Sequence, residues 1–325
     1  MTYVHQKICE VEMSLQLSEL GSMSPAEKSD LLALLLESTQ PGGGRAESRV
    51  VPDLRFELLG PLVISYGGID IAPSAPKLRA ILVTLLLNAN RAVGANELLR
   101  EVWDDAPPRS APATLQTYVF KLRGLFRSSL GLSAEYVNNK MLLTYSGGYI
   151  LRVEPAQLDI TEFERLVDEG SAGLREGRHE QAADCLHRAL GLWRGSIIHC
   201  GHWGTRTRAQ IVRLEERRCY AHMMRIEADL CLGSHQEMVS ELASLAVENP
   251  LHESAHALLM VALHRSGRTS AALDVFRDFR RRMMHELGIE PSVRLQALHM
   301  ALLSAAPVLG DRRLTSEQLL DVITR

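Results

Sequence analysis

The 325-residue chain lacks the marks of several large protein classes. No apolar run approaches the ~20 residues that cross a bilayer, and no N-terminal segment joins basic residues to an apolar stretch and a cleavage site. A cytoplasmic chain is expected. Cysteine is scarce and odd in number, with Cys9, Cys185, Cys200, Cys219 and Cys231 mostly embedded in helical patterns. Free thiols fit that better than a disulfide framework. No Gly-x-x-x-x-Gly-Lys-Ser/Thr loop is present for a nucleotide, and no Ser/His/Asp, Cys/His or paired-carboxylate set assembles into a catalytic centre. An enzyme is not expected, nor a cofactor. His199-Cys200-Gly201-His202 and Cys219 with His222 offer four soft ligands, but the pair on the helix lacks a knuckle and no metal is expected.

Charge is small overall and unevenly placed. The formal net charge is −3, yet residues 52–153 hold eleven Lys and Arg against eight Asp and Glu. One segment is locally basic, and the remainder carries the negative balance. With 46% hydrophobic and 23% charged residues, the chain has apolar material for two domains with substantial cores.

Periodicity divides the chain. Leu31, Leu32, Leu34, Leu35 and Leu36 follow Ser24 and Pro25 in a short helical pattern, which breaks at a Pro-Gly-Gly-Gly linker from Pro41. Strand-like runs then occupy 55–59, 61–66 and 69–71, followed by helical patterns over 77–89 and 95–103. A helix over 111–127 comes next, and a hairpin over 141–153 turns at Ser146-Gly147-Gly148. Strands, three helices and a hairpin in about a hundred residues predict an α+β winged helix-turn-helix module with an extra N-terminal sheet. The third helix of such a module enters the major groove.

That helix has two usable faces. Ser110 is available as N-cap, Pro112 suits the first turn, and Leu115, Val119, Leu122 and Phe126 form one apolar stripe. Opposite lie Ala113, Gln116, Thr117, Phe120, Lys121 and Gly124, with Arg123 and Arg127 at the flank and no acid between. Gln and Thr can bond base edges, Lys and Arg can reach guanine or phosphate, and Phe120 can lie against a thymine methyl.

From Asp159 the pattern is helical to about Ala305, with helices over 161–175, 179–193, 205–232, 236–247, 252–264, 270–287 and 292–303. Gly233 and Gly267 lie 34 positions apart in matching helix-turn-helix units, and Gly177 has the same surroundings. Thirty-four is the tetratricopeptide period, so an all-α, tetratricopeptide-like domain is expected. The domains are drawn as an extension and linker (1–50), a winged helix domain (51–155), a helical domain (156–305) and a tail (306–325).

Lys77-Leu-Arg-Ala-Ile-Leu, Leu98-Leu-Arg-Glu-Val-Trp103, Thr114-Leu-Gln-Thr-Tyr-Val-Phe-Lys-Leu-Arg123 and Gly148-Tyr149-Ile-Leu151 resemble the DNA-binding domain of the Streptomyces antibiotic regulatory protein family. Leu214-Glu-Glu-Arg-Arg218, Pro250-Leu-His-Glu253, Ala262-Leu-His-Arg-Ser-Gly-Arg268 and Glu286-Leu-Gly-Ile-Glu-Pro291 resemble its bacterial transcriptional activator domain. The resemblance covers residues 55–303, and with no nucleotide-binding domain it matches the short form of the family.

It implies a transcriptional activator, nucleoid-associated in the cytoplasm, that regulates antibiotic or other secondary-metabolite genes. Two protomers would sit side by side on direct repeats overlapping the −35 element and recruit RNA polymerase through sigma region 4 and the alpha C-terminal domain. Thr114, Gln116, Thr117, Lys121, Arg123 and Arg127 would face the groove and its phosphates, and Phe120 shares their face. The loop from Asp104 and Asp105 through Arg109 would meet polymerase. Relatives often carry Arg or Pro at the wing tip; this chain has Ser146-Gly147, which leaves Lys140 for a phosphate contact. The competing reading is a tetratricopeptide-type scaffold whose winged helix binds protein.

Overall fold

The structure is a computed structural model that describes residues 53–104, 106–197 and 203–311, with 315, 318, 319 and 321 beyond them. The expected helix over 24–36, its linker, Asp105, Cys9 and the His199–His202 pattern lie outside the described residues.

The first sheet is β1 (Arg55–Glu57), β2 (Val63–Tyr66) and β3 (Ile69–Asp70), antiparallel in that order, with Phe56 opposite Ile64 and Ser65 opposite Asp70. Alternation turns Phe56 and Ile64 into the core, and the Asp70 carboxylate holds the edge by accepting the amides of Ile64 and Ala72. Helix α1 (Pro76–Leu87) follows, with proline in its first turn and Ile81, Leu82, Leu85 and Leu86 fully buried. Next come β4 (Ala92–Gly94), α2 (Ala95–Trp103) and α3 (Ala111–Leu130). A π-helical turn (Val137–Met141) then leads into β5 (Leu142–Tyr145) and β6 (Gly148–Leu151). The second sheet has the order β4-β6-β5, so the expected hairpin is joined by a third strand that the pattern did not reveal. At three residues, β4 is too short to show a period.

Among the described residues, seven α-helices follow: α4 (Asp159–Arg175), α5 (His179–Gly191), α6 (Thr205–Leu232), α7 (His235–Glu248), α8 (Glu253–Arg265), α9 (Thr269–Glu286) and α10 (Val293–Leu303). Gly177, Gly233 and Gly267 each take positive φ where one helix turns back on the next, which is why that residue marks the repeat. One core surrounds Phe163, Leu186 and Ile211, and another surrounds Leu242, Met260 and Phe279. The 28-residue α6 contributes to both, through Ile211 and Leu214 near its start and Ile226 and Leu230 near its end.

The two domains are joined by buried polar contacts. Glu101 of α2 is only 3% exposed, and its carboxylate accepts the amides of Arg206 and Thr207 at 3.1 and 3.0 Å, capping α6 from the other domain. The approach is close enough that a Cβ on Gly204 would stand 2.5 Å from the Glu101 Cα. Beside it the hydroxyls of Thr84 and Thr207 meet at 3.0 Å, and Gln210 donates to Asn88. On the sheet side, one Asp159 oxygen accepts the amides of Leu58 and Leu59 at 2.8 and 2.9 Å. Burial pushes the Asp159 carboxyl up to about 6, and those amides, together with the Arg194 charge, only partly oppose it.

Candidate nucleic-acid interface

Helix α3 is fixed from behind. Leu115, Val119, Leu122 and Phe126 are all buried, as their spacing predicts, and the rings of Phe126 and Phe56 meet edge to face at 6.4 Å. Trp103 stacks on Tyr118 at 6.2 Å, with the Lys77 ammonium 4.8 Å from the Trp103 ring centre. The start of the helix differs from expectation. Ser110 has helical backbone angles and its side chain caps nothing; its carbonyl instead accepts the Thr114 amide and hydroxyl. The chain enters α3 through a turn in which the Ala111 amide reaches the Pro108 carbonyl, so the serine never takes the extended conformation that aims a cap.

The opposite face is open. Ala113, Gln116, Thr117, Phe120, Lys121 and Arg127 are exposed, and Thr114 is half-buried. Phe120 is 72% exposed in the middle of that face. Thr117 donates its hydroxyl to the Ala113 carbonyl at 3.0 Å.

Arg123 corrects the expectation of an outward base reader. It is half-buried, and its guanidinium donates twice to the Leu142 carbonyl, at 3.1 and 2.7 Å, and once to the Thr144 hydroxyl at 2.8 Å. Burial lowers its pKa, with the nearby Tyr149 opposing. The side chain bolts strand β5 to α3 and sets the angle between hairpin and helix. Only the hairpin's return, some twenty residues on, supplies those oxygens, so no local pattern announces them. Lys140 is exposed on the π-helical turn leading into β5. Asp104 closes α2 at φ 51°, and Arg109 is exposed just before α3.

Sequence reasoning also missed Glu101, which matters to the interface because it locks α2, the neighbour of α3, to the helical domain. Its one signal is a carboxylate in the same helical phase as Leu98 and next to Val102, a buried face on which an acid needs a partner.

Together, a three-helix core with a hairpin beside an exposed, acid-free third helix, followed by paired helices, defines a winged-helix regulator fused to a helical domain. The family described as "Transcriptional regulatory protein, C terminal" matches residues 72–147, and the family described as "Bacterial transcriptional activator domain" matches residues 158–303. The chain is similar to the regulatory protein DnrI of Streptomyces peucetius, 41% identical over 78% of this chain and 93% of that one. It is 36% identical to the regulatory protein AfsR of Streptomyces coelicolor over 85% of this chain, spanning 26% of that larger protein. A solved structure of Mycobacterium tuberculosis EmbR, in complex with a low-affinity phosphopeptide, superposes with a TM-score of 0.74 at 30% identity, covering 84% of this chain and 69% of that one. The chain belongs to the Streptomyces antibiotic regulatory protein family of transcriptional activators. No helix among the described residues is long and apolar enough to cross a membrane.

Proposed function

We propose that this transcription regulator is a sequence-specific activator that lays α3 in the major groove at direct repeats upstream of or overlapping a −35 element and recruits RNA polymerase there. Two protomers bind side by side. The promoters are those of secondary-metabolite genes. The observation that carries the reading is the exposed face of α3, which offers Gln116, Thr117, Phe120, Lys121 and Arg127 and no acid, while its back is buried. Lys140 and the flank of α3 meet phosphates, Arg123 sets the wing, and Thr114 begins the face. The loop with Asp104 and Arg109 lies between α2 and α3, on the domain that holds the DNA, and Asp104, Asp105 and Arg109 are its polymerase contacts.

Footprinting the full chain on promoters beside its own gene tests the reading, together with gel shifts across a salt series. The logarithm of affinity should fall linearly with the logarithm of salt concentration, each phosphate contact contributing about −0.9 to the slope. Lys121→Ala and Arg127→Ala should each weaken binding by roughly 1–3 kcal/mol. Binding indifferent to both salt and sequence overturns the proposal in favour of a protein-binding winged helix.

A further inference from the structure

We propose that Phe120 confers sequence preference by packing against thymine 5-methyl groups, so that the centre of α3 reads its site by apolar contact more than by hydrogen bonding. The inference rests on α3 being the groove helix and adds the class of base that it selects.

Hydrogen-bond donors are withdrawn from the middle of the face. Thr114 and Thr117 donate their hydroxyls to the Ser110 and Ala113 carbonyls at 2.9 and 3.0 Å, which leaves a methyl and an oxygen lone pair on each for an outside partner. Arg123, the side chain best suited to guanine, is held by Leu142 and Thr144. Gln116 and Lys121 remain as exposed donors to either side.

Between them runs an apolar line. Ala113, Thr117, Phe120 and Gly124 follow one another at the spacing of a single helical stripe, the outward counterpart of the buried Leu115–Val119–Leu122–Phe126 stripe. Phe120 stands in that line 72% exposed and belongs to no core. One turn beyond, a Cβ on Gly124 would meet nothing within 4 Å, so no side chain there keeps a duplex away from the ring. Such a stripe has one natural counterpart in the major groove. Thymine alone among the four bases projects a methyl there, whereas cytosine offers an amino donor for which Phe120 has no acceptor.

The test takes the duplex that the full chain selects from a random pool and replaces its thymines, one at a time, with deoxyuridine, which pairs identically and lacks only the methyl. Wild type should lose about three- to fivefold in affinity at one or two thymines, the scale of one methyl group returned to water. Phe120→Ala should bind the unmodified duplex more weakly and show no further loss at those thymines, while Phe120→Leu keeps part of the discrimination. Because the ring is exposed, neither variant should change the unfolding midpoint. Wild type indifferent to every replacement, or Phe120→Ala retaining the full losses, overturns the role of Phe120 and leaves α3 as the groove helix standing. Selection of no duplex at all overturns the groove reading itself, and this one with it.

Discussion

Cations are treated oppositely in the two domains. Among the described residues, none of the eleven Lys and Arg from Arg55 to Arg152 forms an ion pair with a carboxylate. In the helical domain Arg165, Arg188, Arg217, Arg225, Arg277, Arg280, Arg281 and Arg294 all lie against acids. Four acids of the winged domain are occupied elsewhere. Glu57 and Glu97 pair with Arg194 and Arg206 across the joint, Glu101 caps α6, and Asp70 holds its own sheet. The helical domain thus neutralises Glu57 and Glu97 of its neighbour, and the neighbour's cations are left without a carboxylate partner, which favours an outside polyanion. Net charge hides this arrangement, because the two domains nearly cancel.

The contrast predicts that removing a cation damages a different property on each side of the joint. The largest effect belongs to Arg225, whose side chain is 8% exposed and donates to Asp229 at 2.8 Å and also to Glu241. Arg225→Ala leaves the buried Asp229 with only the exposed His187 beside it and Glu241 with only His222, and should cost about 3–5 kcal/mol in chemical denaturation. A loss below about 1 kcal/mol would show that the network is dispensable.

At the joint, Glu101→Ala removes the acceptor for two amides and should cost about 2–3 kcal/mol. If α2 and α6 are coupled as their contacts indicate, DNA affinity falls as well. An unchanged denaturation curve would mean that water serves equally well as the cap.

Asp159 gives a pH signature. Its carboxyl titrates near 6 when folded against an ordinary 3.8, so between those values the folded state holds more protons than the unfolded one. Its contribution to stability is therefore full at the acid end and is lost as pH rises through about 6. Asp159→Asn should remove that fall, roughly 2–3 kcal/mol, seen as the difference between the two proteins' stability curves across the window. Parallel curves would refute the burial of this carboxyl.

The smallest expected effects complete the contrast. Arg281→Ala should change stability by no more than about 0.5 kcal/mol, since both partners of its pair with Asp278 are exposed. Lys121→Ala should likewise leave stability unchanged within about 0.5 kcal/mol, and yet weaken DNA binding. A stability loss at Lys121 would break the claim that this cation has no structural partner.

Much of this architecture is legible in the sequence because long periodic segments report their own burial. The pattern places α6 at 205–232, its observed span, and all four residues of the α3 stripe are buried. What stays hidden depends on partners distant in sequence. Arg123 resembles a groove arginine until β5 returns to take it, and Glu101 resembles a surface acid until the α6 amides arrive from 105 positions away. Ser110 fails for a related reason: residue type alone proposes a cap, while the preceding Pro108 turn decides the backbone that aims it. The acid-free outer face needed no partner to be read, since an absence of carboxylates is visible in the chain itself.

Helix α6 has a further consequence as a ruler. Its 28 residues, at 1.5 Å each, form a shaft of about 42 Å, clamped to the winged domain at one end and built into the far helical core at the other. A shaft of that length fixes the distance between the joint and the far helical core, so the two ends of the helical domain cannot approach each other unless α6 itself bends.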